Sequence, residues 1–289
     1  MIRSPIDFRW RAALGLASVV VLVAIYAGLS ARQHQLNPKD TTMPGWSQLA
    51  DGWGKMTTPH HRSGDVWLTE DAIATGKRLG AGMAAGIAGA MVLGFLMGCW
   101  APAESFLVPP LTILGKLNPI AMLAVFFVIF GLEMKMYVAM IAFGILPPMA
   151  MTIYLAIKND VPEELIHKSY TLGASHLEIV LFVIFRQILP KIFEGVRLQT
   201  GPALVYLIAA EMVVGDVGFG YRIRLESRLL HMNVVYPYIM LLAMFGYSVD
   251  LGLRRLQTFI CPWYEHQPEG ASMWESLRAM FRGEVASSE

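Results

Sequence analysis

Residues 162–190 read PEELIHKSYTLGASHLEIVLFVIFRQILP. The stretch opens polar and helix-forming, is punctuated by one glycine, and lies between apolar segments long enough to cross a bilayer. Pro162-Glu163-Glu164 is a helix start, with proline in the first turn and acids beside the positive end of the dipole. Leu165, Ile166 and Ser169 carry that helix to Leu172, Gly173 provides a turn without a Cβ, and Ala174-Ser175 begins a second helix. Ile179, Val183 and Ile184 give the second helix an apolar face. The expected product is a short helix-turn-helix lying along the membrane surface, a rigid handle for another protein; a plain connector is the alternative.

The surroundings make this an all-α, polytopic membrane protein. The 289 residues are 55% hydrophobic and 16% charged, with mean hydropathy +0.49, a balance that an ordinary soluble domain rarely shows. About six transmembrane helices are expected, at 12–29, 72–100, 105–130, 136–157, 198–214 and 236–253. The first follows Arg3, Arg9 and Arg11, but is longer than a signal-peptide core, so it reads as a retained membrane helix. Residues 31–65 are polar and read as an aqueous loop with a short helix near 46–53. Gly82 with Gly86, and Gly94 with Gly98, are small-xxx-small pairs suited to close helix packing. In the third segment, Pro109-Pro110 and Lys116-Leu117-Asn118-Pro119 are expected to break the helix. The fourth carries Pro147-Pro148.

With the N-terminus inside, twelve Lys and Arg fall on inner regions and eight on outer ones, which places the handle and the tail in the cytoplasm. Lys77, Arg78 and Lys116 lie too near helix interiors to assign to a side. The organisation is therefore an N-terminal helix and extracytoplasmic loop (1–66), a transmembrane domain (67–263) and a cytoplasmic tail (264–289). In the tail, Met273, Trp274, Leu277, Met280 and Phe281 face away from Glu275, Arg278 and Arg282. That pattern suits an interfacial amphipathic helix; a disordered polar tail is the other reading.

The handle resembles the EAA loop of binding-protein-dependent transport inner-membrane components, the permeases of ABC importers. Thr171-Leu172-Gly173-Ala174-Ser175 and Leu189-Pro190 carry the likeness, while His167-Lys168-Ser169 stand at the EAA positions and Phe185-Arg186 at an earlier Leu-Pro. Ala210-Glu211-Met212, Gly218-Phe219-Gly220-Tyr221, and Arg254-Arg255 followed by Pro262-Trp263, are similar to the nitrate, sulfonate, taurine and bicarbonate branch. Residues 114–131 correspond to its proline-rich third-helix segment, with Asn118 and Met122 in place of a proline and a tryptophan. The resemblance spans about 67–263. It implies a type I, MetI-like importer fold and a translocation pathway for a small anion. It also implies two such permeases pairing, usually as a homodimer, with two cytoplasmic ATPase subunits and a periplasmic binding protein. Glu163, Glu164, His167, Lys168, Thr171, Leu172, Gly173, Ala174 and Ser175 would then contact the ATPase. ATP and Mg would bind that partner, since Gly76-Lys77-Arg78 lacks the rest of a phosphate loop.

Single residues carry paired readings. Glu211 is an acid at membrane depth, serving either to line or gate the pathway or to form a structural ion pair. Arg78 is its candidate partner, or snorkels to the interface. Asn118 and Met122 sit at the helix break, with Asn118 contacting substrate or capping freed backbone groups. Arg222, Arg224 and Arg228 draw an anion, bind an acidic partner surface, or solvate a loop. His60-His61 has no further ligands at metal spacing, and Cys99 and Cys261 suggest neither metal nor disulfide. A net charge of +1 gives no reason to invoke nucleic acid. The competing class is an ion-gradient-driven transporter, which calls for inverted repeats that the sequence does not display. An intramembrane enzyme lacks any HExxH or GxSxG.

Overall fold

The computed structural model describes residues 8–36, 41–58 and 66–264, and among these it is helical throughout. The expected tail helix and the His60-His61 pair lie outside the described residues. The helices are α1 (Phe8–Leu36), α2 (Trp46–Thr57), α3 (Trp67–Cys99), α4 (Ala101–Leu114), α5 (Leu123–Phe130) and α6 (Met134–Asp160). They continue with α7 (Glu163–Thr171), α8 (His176–Glu178), α9 (Phe185–Val214), α10 (Phe219–Arg228) and α11 (Met232–Ile260). A six-residue π-helical stretch, Ile179–Ile184, joins α8 to α9 without a break.

The α3–α6 pair is the spine. A Cβ added to Gly82 would lie 2.7 Å from Ile141, to Gly86 3.1 Å from the Ala142 Cα, to Gly94 2.7 Å from Ile153, and to Gly98 2.5 Å from Ile157. Both glycine pairs therefore lie in one interface, where the backbones meet at a distance only glycine permits. The contacts advance together along both chains, so α3 and α6 run parallel. Two parallel crossings require the chain between them to cross back. That return is made in two pieces, α4 and α5, of 14 and 8 residues. At 1.5 Å per residue they reach about 33 Å, enough for a hydrocarbon core.

Among the described residues, four helices are each long and apolar enough to span alone: Ala13–Gln35 within α1, and α3, α6 and α11. His176–Val214 passes together with Phe219–Arg228, bent by 52°. Counting that bent pair as one span and the broken α4–α5 return as another gives about six crossings among the described residues. α9 is antiparallel to α3 and α6. Ile179 and Ile184, near its start, line a cleft with Gly98 and Ile157, and its end reaches Arg78. α11 is antiparallel to α9, joined by Arg197 to Asp250 at 2.8 Å and by Gln257 to the Pro190 carbonyl at 3.2 Å. The α7 end is thus the inner one by the charge bias, and α10 lies at the outer end.

Three expectations are corrected. Pro109-Pro110 lie inside α4, which runs on to Leu114. The carbonyls they free belong to the turn at Ser105 and Phe106, close to the start of α4, where Phe106 is 79% exposed. The break comes at 115–122. The second arm of the handle is not a separate short helix, because it enters α9 directly, so the fifth crossing begins at His176 rather than near 198. α3 begins at Trp67, five residues ahead of the expected start. In the outer loop, α2 packs Gly52 against the Asn233 backbone, and its Met56 joins Phe219, Val234 and Tyr238 in a small second core.

One consequence is directly testable. Gly94→Val would push a branched side chain into Ile153 and to within 3.0 Å of the Ala150 carbonyl, a backbone atom that cannot swing away. Such overpacking costs about 1–3 kcal/mol. The purified variant is expected to melt several degrees lower in detergent, while Gly80→Val, in open space, leaves the melting temperature unchanged.

Candidate functional site

At the inner end, none of α7 is buried, yet the segment is firmly shaped. Pro162 takes the N-cap with extended geometry, and Glu163 and Glu164 occupy the first turn. Gly173 has φ +84°, and the Gly173 and Ala174 N–H groups donate to the Tyr170 and Ser169 carbonyls, closing a Schellman motif. Ser175 then caps the next helix: its N–H donates to Glu178 at 2.7 Å and its hydroxyl accepts from the Glu178 N–H. Across the turn, the Tyr170 hydroxyl and His176 Nδ1 share a 2.5 Å hydrogen bond, and Trp100 packs against the His176 ring.

Val161, Ile179 and Ile184 are buried against the core, and Ile166 packs on it. The opposite surface carries Glu163, Glu164, His167, Lys168 and Thr171, with Leu172 at the tip 87% exposed. The hydrogen-bonded turn thus holds an apolar side chain out from the body of the protein. All nine residues assigned to this handle from sequence lie in this one unit.

At the outer end, α3, α9, α10 and α11 meet in a dry polar cluster. Glu211 is fully buried. Its carboxylate accepts from Thr75 at 3.0 Å, from Arg78 at 2.9 Å and from the Gly220 N–H at 3.0 Å. Arg78 also donates to the Val217 carbonyl and stacks 4.2 Å over the Tyr137 ring. Asp71, also fully buried, accepts from the Gly218 N–H, from Arg222 at 3.0 Å and from the Tyr238 hydroxyl at 2.9 Å. Thr75 accepts from the Phe219 N–H. Three successive N–H groups at the start of α10 therefore point at two carboxylates and a hydroxyl, the usual remedy for the unpaired donors of a helix N-terminus.

The run Gly218-Phe219-Gly220 is required for this approach. Gly218 has φ +124°, and a Cβ there would lie 2.6 Å from the Glu211 carboxylate. One at Gly220 would lie 2.6 Å from the Ile208 carbonyl.

The structure thus brings Glu211 and Arg78 together as an ion pair at the outer end. Arg222 is committed to Asp71, and Arg224 donates to the Val213 and Gly215 carbonyls. Asn118 and Met122 stand apart at the α4–α5 break. The Asn118 side-chain oxygen accepts from the Ile120 N–H, and Met122 is the N-cap of α5. Asp71 went unremarked in sequence because it fell one residue before the expected start of its helix. The signal was present: Asp71, Thr75 and Arg78, at i, i+4 and i+7, lie on one face of α3 as a polar stripe.

Comparison with known proteins agrees with this architecture. Residues 79–260 match the family described as binding-protein-dependent transport system inner membrane component. The taurine transport system permease protein TauC of Escherichia coli K12 is 28% identical over 200 residues, covering 69% of this chain and 72% of that protein. The nitrate import permease protein NrtB of Leptolyngbya laminosa is 26% identical over 207 residues, covering 71% and 74%. A solved structure of the MetNI methionine ABC transporter superposes with TM-score 0.55 at 17% identity, over 67% of this chain and 97% of that one. At that identity the likeness concerns the fold. The chain belongs to the family of binding-protein-dependent transport system inner membrane components: it is a multi-pass inner-membrane permease subunit of an ATP-driven ABC importer, whose ATPase is a separate chain.

Proposed function

We propose that this permease imports a small anion of the nitrate, sulfonate, taurine or bicarbonate class. In this reading, two copies pair around the pathway. Each copy presents α7 and its Gly173 turn to one of two ATPase subunits, and a periplasmic binding protein delivers the solute at the outer face. ATP and Mg act on the ATPase partner, and closure of the ATPases moves the handles and changes the access of the pathway.

The observation that carries the reading is the handle itself. The exposed Leu172 tip sits on a hydrogen-bonded turn whose second arm, from His176, runs without a break into α9, so a push on the turn reaches Glu211 and the outer cluster through one helix. The substrate class is supported by two of the relatives, a taurine transport permease and a nitrate import permease. The same helix gives the outer cluster a place in the cycle: Glu211 and Arg78 secure α10 over the outer end while the inner end is driven.

The test is uptake by proteoliposomes holding the permease, its ATPase and its binding protein, offered labelled nitrate, taurine, methanesulfonate and bicarbonate in turn. ATP-dependent accumulation of one of these anions is expected. Accumulation that follows an imposed ion gradient and ignores ATP would sink the proposal.

A further inference from the structure

The α4–α5 return places a lysine where no described residue neutralises it. Lys116 follows the last turn of α4, and its neighbour Gly115 stands against Pro147, with a hypothetical Cβ 3.5 Å from the Pro147 Cβ. Pro147 is midway along α6 (Met134–Asp160), so Lys116 lies near the centre of the membrane. Its side chain is exposed and forms no ion pair with any described residue.

The available acids are elsewhere. Glu104 and Glu133 mark the two ends of this return, with Glu104 committed to Lys158 and Tyr154. α6 carries no acid between Lys135 and Asp160. On α9, Glu194 engages Lys191 and Tyr264, and Glu211 engages Arg78.

A charged ammonium at this depth cannot face lipid tails, and a lysine stem is too short to snorkel across half of a core about 30 Å thick. It must face water. The chain is also irregular here, which is tolerated at membrane depth where backbone lines a cavity. A cleft of about 240 Å³ lies beside it, lined by Leu111, Thr112, Lys116, Pro147, Pro148 and Met151. Two residues on, the Asn118 side-chain oxygen accepts from the Ile120 N–H, and its amide NH₂ is the remaining donor at the break.

We propose that Lys116 is the anion-binding cation of the translocation pathway, with the Asn118 amide as its second donor. Lys116 lends a passing oxyanion or sulfonate the charge that this depth otherwise denies it. Its binding is weak enough for release because the site holds one cation and is open to water. This rests on the anion reading of the proposed function.

The test uses the complete complex in proteoliposomes and the same four probe anions. A charge-assisted hydrogen bond is worth about 1.5–3 kcal/mol, so Lys116→Met or Lys116→Gln should lower the transport efficiency about 10- to 100-fold. Lys116→Arg should retain it within severalfold, with assembly of each variant checked by recovery of the ATPase at wild-type stoichiometry. In parallel, Lys116→Cys, with Cys99 and Cys261 replaced by Ala, should be labelled by membrane-impermeant sulfonatoethyl methanethiosulfonate, and the transported anion should slow the labelling. An unlabelled residue 116 overturns the inference. So does a labelled one whose Met and Gln variants transport at the wild-type rate. A wild-type complex that moves none of the four anions overturns the anion reading, and the inference with it, without reference to any variant.

Discussion

Glu211→Ala is expected to destabilise the protein by about 3–5 kcal/mol, the usual consequence of removing one partner of a buried ion pair. Arg78 would be left with a charge largely shielded from water, its side chain being 12% exposed. The Gly220 N–H and the Thr75 hydroxyl would lose their acceptor. Because Thr75 also receives the Phe219 N–H, the damage should concentrate at the start of α10. Thermal melting of the purified complex should fall by several degrees or more, and amide exchange over 219–228 should lose protection before the α3–α6 spine does. Glu211→Gln keeps an acceptor for one of these donors and should fall between the variant and the wild type. Melting and exchange identical to wild type in Glu211→Ala would mean that the cluster does not hold the outer end together.

Gly173→Val should abolish coupling while leaving the fold intact. A Cβ at residue 173 meets nothing within 4 Å, so no clash disturbs the bundle. The difficulty is φ +84°, which a β-branched residue adopts only at a cost of about 1–3 kcal/mol. The cheapest relief is to open the Schellman turn, which swings Leu172 off its position. The variant should enter the membrane and pair with its ATPase, hydrolyse ATP, and transport at least tenfold less per ATP. Gly173→Asn, tolerated in the left-handed region, should remain close to wild type. Wild-type transport by Gly173→Val would remove the turn from the mechanism.

Much of this was legible in the sequence, because the informative signals are local. The start at Pro162-Glu163-Glu164, the glycine turn and the Ser175 cap are each set within four residues, and each appears where expected. The two glycine pairs of α3 gave their packing role, though not their partner or its direction. The misreadings share a cause, in that local punctuation was given more weight than context. Pro109-Pro110 broke nothing, since α4 carries both inside it and runs on to Leu114. The second arm of the handle ran on because the apolar face of 179–184 is continuous with the membrane helix beyond it. Asp71 and Lys116 could be valued only once tertiary facts were known. Asp71 needed the chain reversal of α10, and Lys116 needed the parallel α3–α6 pairing that fixes its depth.

The central claim is that 163–175 is the grip by which a separate ATPase drives this permease. The most direct measurement is co-purification of the tagged chain from its own host, with mass spectrometry of the proteins recovered. An ATPase subunit bearing a phosphate loop should appear at equal stoichiometry with the wild type, and be lost when 163–175 is scrambled although the scrambled chain still reaches the membrane. Equal recovery of the ATPase with both chains would contradict the account.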